Sequence, residues 1–299
     1  VPTLSQSGFQ STYSYLYTQL TGIPSFNTAD YIVPIRYKIE GFDYKKLHSK
    51  KVTVSFWMKA SVTGAYSVNF FNAAFDRTYI TTVTVLVANT WELKTITLNL
   101  DTTGTWLFNN STGLEILIGS YGGATYQTSS LNQWQSTGGP FVASTAVNWM
   151  ASNNATLRVA QLQLNEGPDK SVFQRAGRTI QGELALCQRY YEKSYNVDVP
   201  PGSGTNAGEM AIRPAQTVSN GLFLNEHWYF RTPKRSQPIV SVYSQVTGTS
   251  GVIQVNGTNR AATATDIGYN GVGALQNNSG VTWNSGEAVI FQWSADAEL

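Results

Sequence analysis

Seven carboxylates in the first half of the chain could do acid–base chemistry: Asp30, Glu40, Asp43, Asp76, Glu92, Asp101 and Glu115. Cleaving a glycosidic bond needs two of them about 5–10 Å apart in a cleft. Their spacing forms no recognisable motif, and Asp43, Asp76 and Asp101 fall at strand ends, where aspartate favours turns. There is no G-x-S-x-G elbow, and the two distant histidines, His48 and His227, give no triad logic. The phosphate-cradling G-x-x-x-x-G-K-[ST] loop is absent. With Cys187 as the single cysteine and only two histidines, a cysteine zinc site, a multi-histidine centre and an HExxH helix are excluded, as is an intramolecular disulfide framework. The residues therefore point away from an enzyme.

Binding chemistry is better represented. Sugar rings stack their C–H faces on Trp and Tyr, and their hydroxyls need fixed hydrogen-bonding partners around that platform. Trp106, Tyr121, Tyr126 and Trp134 supply candidate ring faces, and Asn132 and Gln135, with Asn109, Asn110, Gln127 and Gln133, supply the polar partners. The competing reading makes the same rings core plugs or subunit contacts. Trp57 and Trp149 read as core, and Trp91 as packing beside a turn. Farther on, Trp228, Tyr229, Tyr243, Tyr269 and Trp283 lie on or near turns, either as core or as outward candidates. His227 reads as a surface residue and Cys187 as a small hydrophobe.

The elements that must hold these residues are strands. Val52–Ala60 alternates strictly, with Val52, Val54, Phe56 and Met58 on one side. Tyr66–Phe71, Thr78–Val87, Trp91–Leu100, Leu114–Ile118 and Thr156–Leu164 continue the series, with no helical period between them, which predicts an antiparallel sandwich. The stretch from Gly119 to Trp149 has no period, and loops of that length are often functional. One helix is predicted over Ile180–Tyr195, with Ile180, Leu184, Cys187 and Tyr191 on one face and Pro200-Pro201-Gly202 as its stop. Strand signals resume over Gly221–Phe230, Ile239–Tyr243, Val252–Val255 and Ala288–Trp293. The predicted organisation is residues 1–170, a linker and helix over 171–195, and a smaller β domain over 196–299.

Composition agrees. Of 299 residues only 13% are charged, and Lys plus Arg (20) against Asp plus Glu (18) leaves a net charge of +2. Ordinary soluble domains carry about 25% charged residues. So weak a field gives no grip on polyanions, which argues against nucleic acid as a partner. No run of about 18 apolar residues could cross a membrane as a helix, and the N-terminus shows no secretory leader pattern. A chain opening on Val1 reads as a fragment, a processed product or one that has lost its initiator.

Several segments, in order, resemble one family, the tail and tail-fibre structural proteins of tailed bacteriophages. Arg36–Asp43 (RYKIEGFD) is similar to its "QRIEGxD". Val54–Ala60 with Thr63-Gly64 (VSFWMKA…TG) is similar to "LSFWVKASxTG". Asn89–Lys94 (NTWELK), Asp101–Trp106 (DTTGTW) and Tyr126–Gln135 (YQTSSLNQWQ) follow. Val159–Gly167 (VAQLQLNEG), Phe173-Gln174-Arg175, Glu183–Tyr191 (ELALCQRYY) and the terminal Ala295–Leu299 (ADAEL) complete the set. The family's Thr-Pro-Phe after "LEVG" is missing between Pro168 and Arg175.

The resemblance implies a carbohydrate-binding-module-like jelly roll, then a short helix and a second smaller β-sandwich. It also implies a virion protein assembled in the bacterial cytoplasm. By analogy with phage fibres, the partners expected are two further copies in a trimer, other virion proteins and a host-surface glycan. The function expected is non-enzymatic host attachment as a tail-fibre component. A head fibre or decoration protein is the alternative, and a capsule-depolymerising enzyme a third reading. No cofactor is expected beyond a structural calcium on Asp30, Glu40 or backbone carbonyls.

Overall fold

The computed structural model describes residues 14–136 and 139–299; the opening residues, Val1 included, lie outside the described residues. The chain divides into two compact units, residues 1–174 and 175–299. Nearly all regular structure is strand.

In chain order the first unit holds β1 (Tyr15–Gln19), β2 (Tyr31–Ile32), β3 (Ile35–Glu40), the single-turn α1 (Gly41–Tyr44), β4 (Lys51–Ala60), β5 (Gly64–Phe71) and β6 (Thr78–Val85). There follow β7 (Glu92–Asn99), β8 (Thr112–Gly122), β9 (Gln127–Thr128), β10 (Trp134–Gln135), β11 (Val142–Ala143) and β12 (Ala155–Glu166). One antiparallel sheet runs β1-β12-β4-β7. The other runs β10-β6-β5-β8, with β2 and β3 both pairing β8. Every contact between strands of these two sheets is antiparallel, and the sheets close on one core as a jelly-roll-type sandwich.

The alternation read in the sequence explains the inner faces. Val52, Val54, Phe56 and Met58 are fully buried and meet Tyr66, Val68 and Phe70 of β5 and Leu114, Ile116 and Ile118 of β8. Each such side chain contributes about 1.5–3 kcal/mol on burial. The opposite face of β4 carries Trp57, which is half-buried and not in the core, because strict alternation puts it on the outside. Trp149 is core, and its Nε1 donates to the Gly119 carbonyl (2.9 Å).

The described parts of residues 123–148 form a strap over the outer face of the β6-β5-β8 sheet. Trp134 pairs with Tyr79, β11 runs parallel to β9, and the Ala143 N–H donates to Ser67 Oγ (2.9 Å). Phe71, Leu117, Phe141 and Val142 make a small second core beneath it. The segment without sequence period is thus ordered by tertiary contacts.

The second unit opens with α2 (Ile180–Gln188), capped by Thr179, whose Oγ1 accepts the Gly182 N–H (3.0 Å). The predicted helix ran to Tyr195. It ends at Gln188 because the next residues, β13 (Tyr191–Lys193), pair with residues 294–296. Its apolar stripe is also not a packed one, since Ile180, Leu184 and Cys187 are exposed.

The remaining strands are β14 (Met210–Ile212), β15 (Phe223–Leu224), β16 (Trp228–Tyr229), β17 (Ile239–Tyr243), β18 (Val252–Val255), β19 (Thr258–Ile267), β20 (Gly271–Asn277) and β21 (Val289–Asp296). Nine strands join in one hydrogen-bonded network in which β21 pairs with β13, β14, β17 and β18. Its inward residues, among them Trp228, Trp283, Phe291 and Trp293, share one core, so the network folds over itself.

Candidate functional site

The six residues picked as a carbohydrate site do not form one platform. Trp106 is only 9% exposed and stacks on Tyr44 (centroids 5.0 Å, 27°). Its edge meets Trp134 at 5.7 Å and 86°, and its Nε1 donates to the Thr103 carbonyl (2.6 Å). Trp134 is half-buried, sits 5.5 Å from Tyr79 and donates Nε1 to the Asn99 carbonyl (2.8 Å). This group packs against the sandwich core. Burial, with some help from the Asp101 charge, lifts the Tyr44 phenol far above its ordinary pKa.

The other two aromatics join a different group. Tyr126 contacts Tyr31 (4.8 Å) and Phe141 (4.9 Å), and Tyr121 contacts Phe26 (5.3 Å). Among the described residues no ring contact links this group to Trp106 and Trp134. Asn132 and Gln135 are held by hydrogen bonds within the loop and to β6. Asn132 takes a left-handed turn (φ 61°), accepts from Thr81 Oγ1 (2.7 Å) and donates its N–H to the Ile80 carbonyl (2.8 Å). Gln135 donates Nε2 to the Ser130 carbonyl (2.6 Å).

The carboxylates are engaged in loops. Burial would raise the Asp101 carboxyl, but the Thr103 N–H and the Arg77 guanidinium outweigh it and hold the group below its usual value. Asp76 is also held low, first by the Asn72 amide and then by Thr105. Glu92 bonds the Leu86 and Val87 N–H groups (2.9 and 2.8 Å) and Lys94 (2.5 Å).

The two calcium candidates stand apart. Glu40 pairs with Thr112 and Tyr31 pairs with Gly122, ten residues along β8, or about 33 Å. Asp30 and Glu40 cannot share one ion. Among the described residues no cluster of three or more His, Cys, Asp or Glu side chains is placed to hold a metal.

A concave feature of the first unit lies elsewhere. A groove of about 550 Å³ runs between β3 and the β1–β12 edge. That lies within the roughly 300–1,000 Å³ usual for ligand sites. Tyr15, Tyr37 and Phe173 supply ring surface, Leu16, Pro34, Ile35, Val159 and Leu162 supply aliphatic walls, and Arg36 and Gln161 supply polar groups. Tyr15 is 77% and Tyr37 46% exposed.

Its opening follows from a break in β12. Between Ala160 and Gln163 the pairing with β4 slips, and Gln161 takes φ 53°, so a bulge turns these residues toward β3. Arg36 Nε donates to the buried Glu115 Oε2 (2.6 Å), so the groove's one cation is already neutralised. Sequence reading missed this site. The bulge leaves no mark in composition, and only the aromatic alternation Tyr13, Tyr15, Tyr17 and the Arg36-Tyr37 pair could have drawn attention to it.

Fold and site together define an all-β protein of two units, with a charge-compensated, aromatic- and aliphatic-walled groove in the first. No protein-family model and no curated protein matches the chain. Three solved structures show loose likeness. Discoidin II of Dictyostelium discoideum is 12% identical over 83% of this chain and 73% of its own, with a TM-score of 0.20. The BppUct-A-L tripod from the baseplate of bacteriophage Tuc2009 is 13% identical over 95% and 98%, with a TM-score of 0.24. The T=1 Penaeus vannamei nodavirus structure is 7% identical over 96% and 99%, with a TM-score of 0.18. Likeness at this level carries no argument about function.

Proposed function

We propose that this chain is a structural protein of a tailed-phage virion, acting as a tail-fibre component that binds a neutral host-surface polysaccharide without cleaving it. The observation that carries the reading is the groove, with its ring faces beside a cation neutralised by Glu115. Such a surface suits a hydroxyl-rich, uncharged chain better than an anionic one. The ordered series of family-like segments supports the virion setting.

The test is retention on an array of purified bacterial capsular and O-antigen polysaccharides. The chain is expected to hold at least one neutral polymer without releasing reducing ends. Tyr37→Ala should weaken that hold about tenfold, the size of one lost stacking contact. Retention of none would overturn the attachment role. Labelled antibody on virions separates the alternative: label over the whole shell would make this a decoration or head-fibre protein.

A further inference from the structure

We propose that the second unit carries its own saccharide contact, built from Tyr229 and Tyr269 with His227, Asp266 and Asn270 around them. This rests on the glycan reading above and adds a second, separate subsite to it.

The sequence leaves Trp228, Tyr229, Tyr269 and Trp283 undivided, and the structure sorts them. Trp228 and Trp283 are buried in the core, whereas Tyr229 is 76% and Tyr269 56% exposed. Neither tyrosine sits on a loose loop. Tyr229 lies in β16 opposite Gly271, and Tyr269 lies in the hairpin turn between β19 and β20. The Phe230 N–H donates to the Asn270 carbonyl (2.9 Å), and the Lys234 N–H donates to the Tyr269 carbonyl (2.8 Å). The backbone holding each ring is thereby stitched to the backbone holding the other.

Polar groups lie on residues in or next to the same strands. A Cβ placed on Gly273 would lie 2.9 Å from Asp266 Cβ and 3.5 Å from His227 Nε2, so these two side chains meet over that glycine. Asp266 is turned outward by a left-handed backbone (φ 52°), where the pairing of β19 with β20 skips from Thr265 to Ile267. Asp266, His227 and Asn270 are all exposed. An imidazole, a carboxylate and an amide on or next to the same strands and turn as two exposed phenol rings offer donors and acceptors to sugar hydroxyls and ring faces to stack on. The Asp266 carboxylate disfavours anionic sugars, so the class of ligand is a neutral saccharide chain, the class fitted to the groove.

Two subsites on one chain raise the effective concentration of polymer at each, so losing one weakens binding without abolishing it. The experiment uses the full chain on the same polysaccharide array, comparing the wild type, the Tyr229→Ala/Tyr269→Ala variant, Tyr229→Phe/Tyr269→Phe and Tyr37→Ala. Both tyrosines are exposed, so the double alanine variant should keep the wild-type circular dichroism spectrum. It is expected to lose at least tenfold in retention, and the phenylalanine variant to keep most of it. Bound polymer should also shield Tyr229 and Tyr269 from ring nitration, read by peptide mass. Unchanged retention of the alanine variant, or nitration unaffected by polymer, overturns this inference. If Tyr37→Ala weakens the same binding, the groove reading survives that result. A wild-type chain that retains no polymer overturns both.

Discussion

Asp101 shows how a carboxylate can look catalytic in a sequence and be structural in the fold. Its oxygens accept the Thr102 and Thr103 N–H groups (2.8 and 3.1 Å) and the Arg77 guanidinium. Because its folded pKa lies below the unfolded value of about 3.9, the stability it adds is present above that pH and is lost as pH falls through the folded value. Asp101→Asn should lower stability by about 1–2 kcal/mol at pH 7, measured by urea unfolding, and the gap from wild type should narrow as pH falls through the lowered folded value. Lys234 is the second case. Both it and Glu192 are almost wholly buried, with Nζ–Oε2 at 2.6 Å and Nζ also bonded to the Gln188 and Thr232 carbonyls. Lys234→Ala strands the Glu192 charge and should cost about 3–5 kcal/mol, whereas Lys234→Met with Glu192→Gln should cost clearly less. Equal losses in the two variants would show that the charges themselves are not coupled.

The strap and the sheet beneath it make a test at the scale of elements. Under the described parts of residues 123–148 the Asn69 side chain is fully buried, and among the described residues neither its Oδ1 nor its Nδ2 has a hydrogen-bond partner; Thr78 Oγ1 and Ser120 Oγ, on the neighbouring strands, are alike. A buried polar group left unbonded costs about 1–3 kcal/mol. Asn69→Leu, which keeps the branched skeleton and removes the polar atoms, should therefore raise the thermal midpoint, read by scanning calorimetry. A fall of several degrees would mean that the amide is bonded to ordered water. Elements with strong apolar alternation were legible beforehand. Lys51–Ala60 follows the pattern of Val52, Val54, Phe56 and Met58, and Ile239–Tyr243 and Val252–Val255 match their predicted bounds. β19 and β20 were missed because their inward residues include Ala262, Ala264 and Ala274, too small to stand out as an apolar period. The predicted strand over Gly221–Phe230 is two short strands, Phe223–Leu224 and Trp228–Tyr229, which meet β20 at separate registers.

At the scale of the whole molecule, the trimer expected by analogy with phage fibres is a proposal with a direct measurement. Sedimentation equilibrium should give a mass near three times the 32.7 kDa of the chain; a monomer at micromolar concentration would remove the fibre-like assembly. What this sequence determined alone is the all-β character, because alternating apolar residues with little charge and many turn formers favour sheets whatever the partners. The tertiary structure alone decided which aromatic rings face solvent. Exposure depends on strand register and on a single bulge: Trp106 and Trp134 turn inward against Tyr44 and Asn99, while a slip at Gln161 opens a groove beside Tyr15 and Tyr37. A one-residue shift reverses every side chain on a strand, and no local pattern records where that shift occurs.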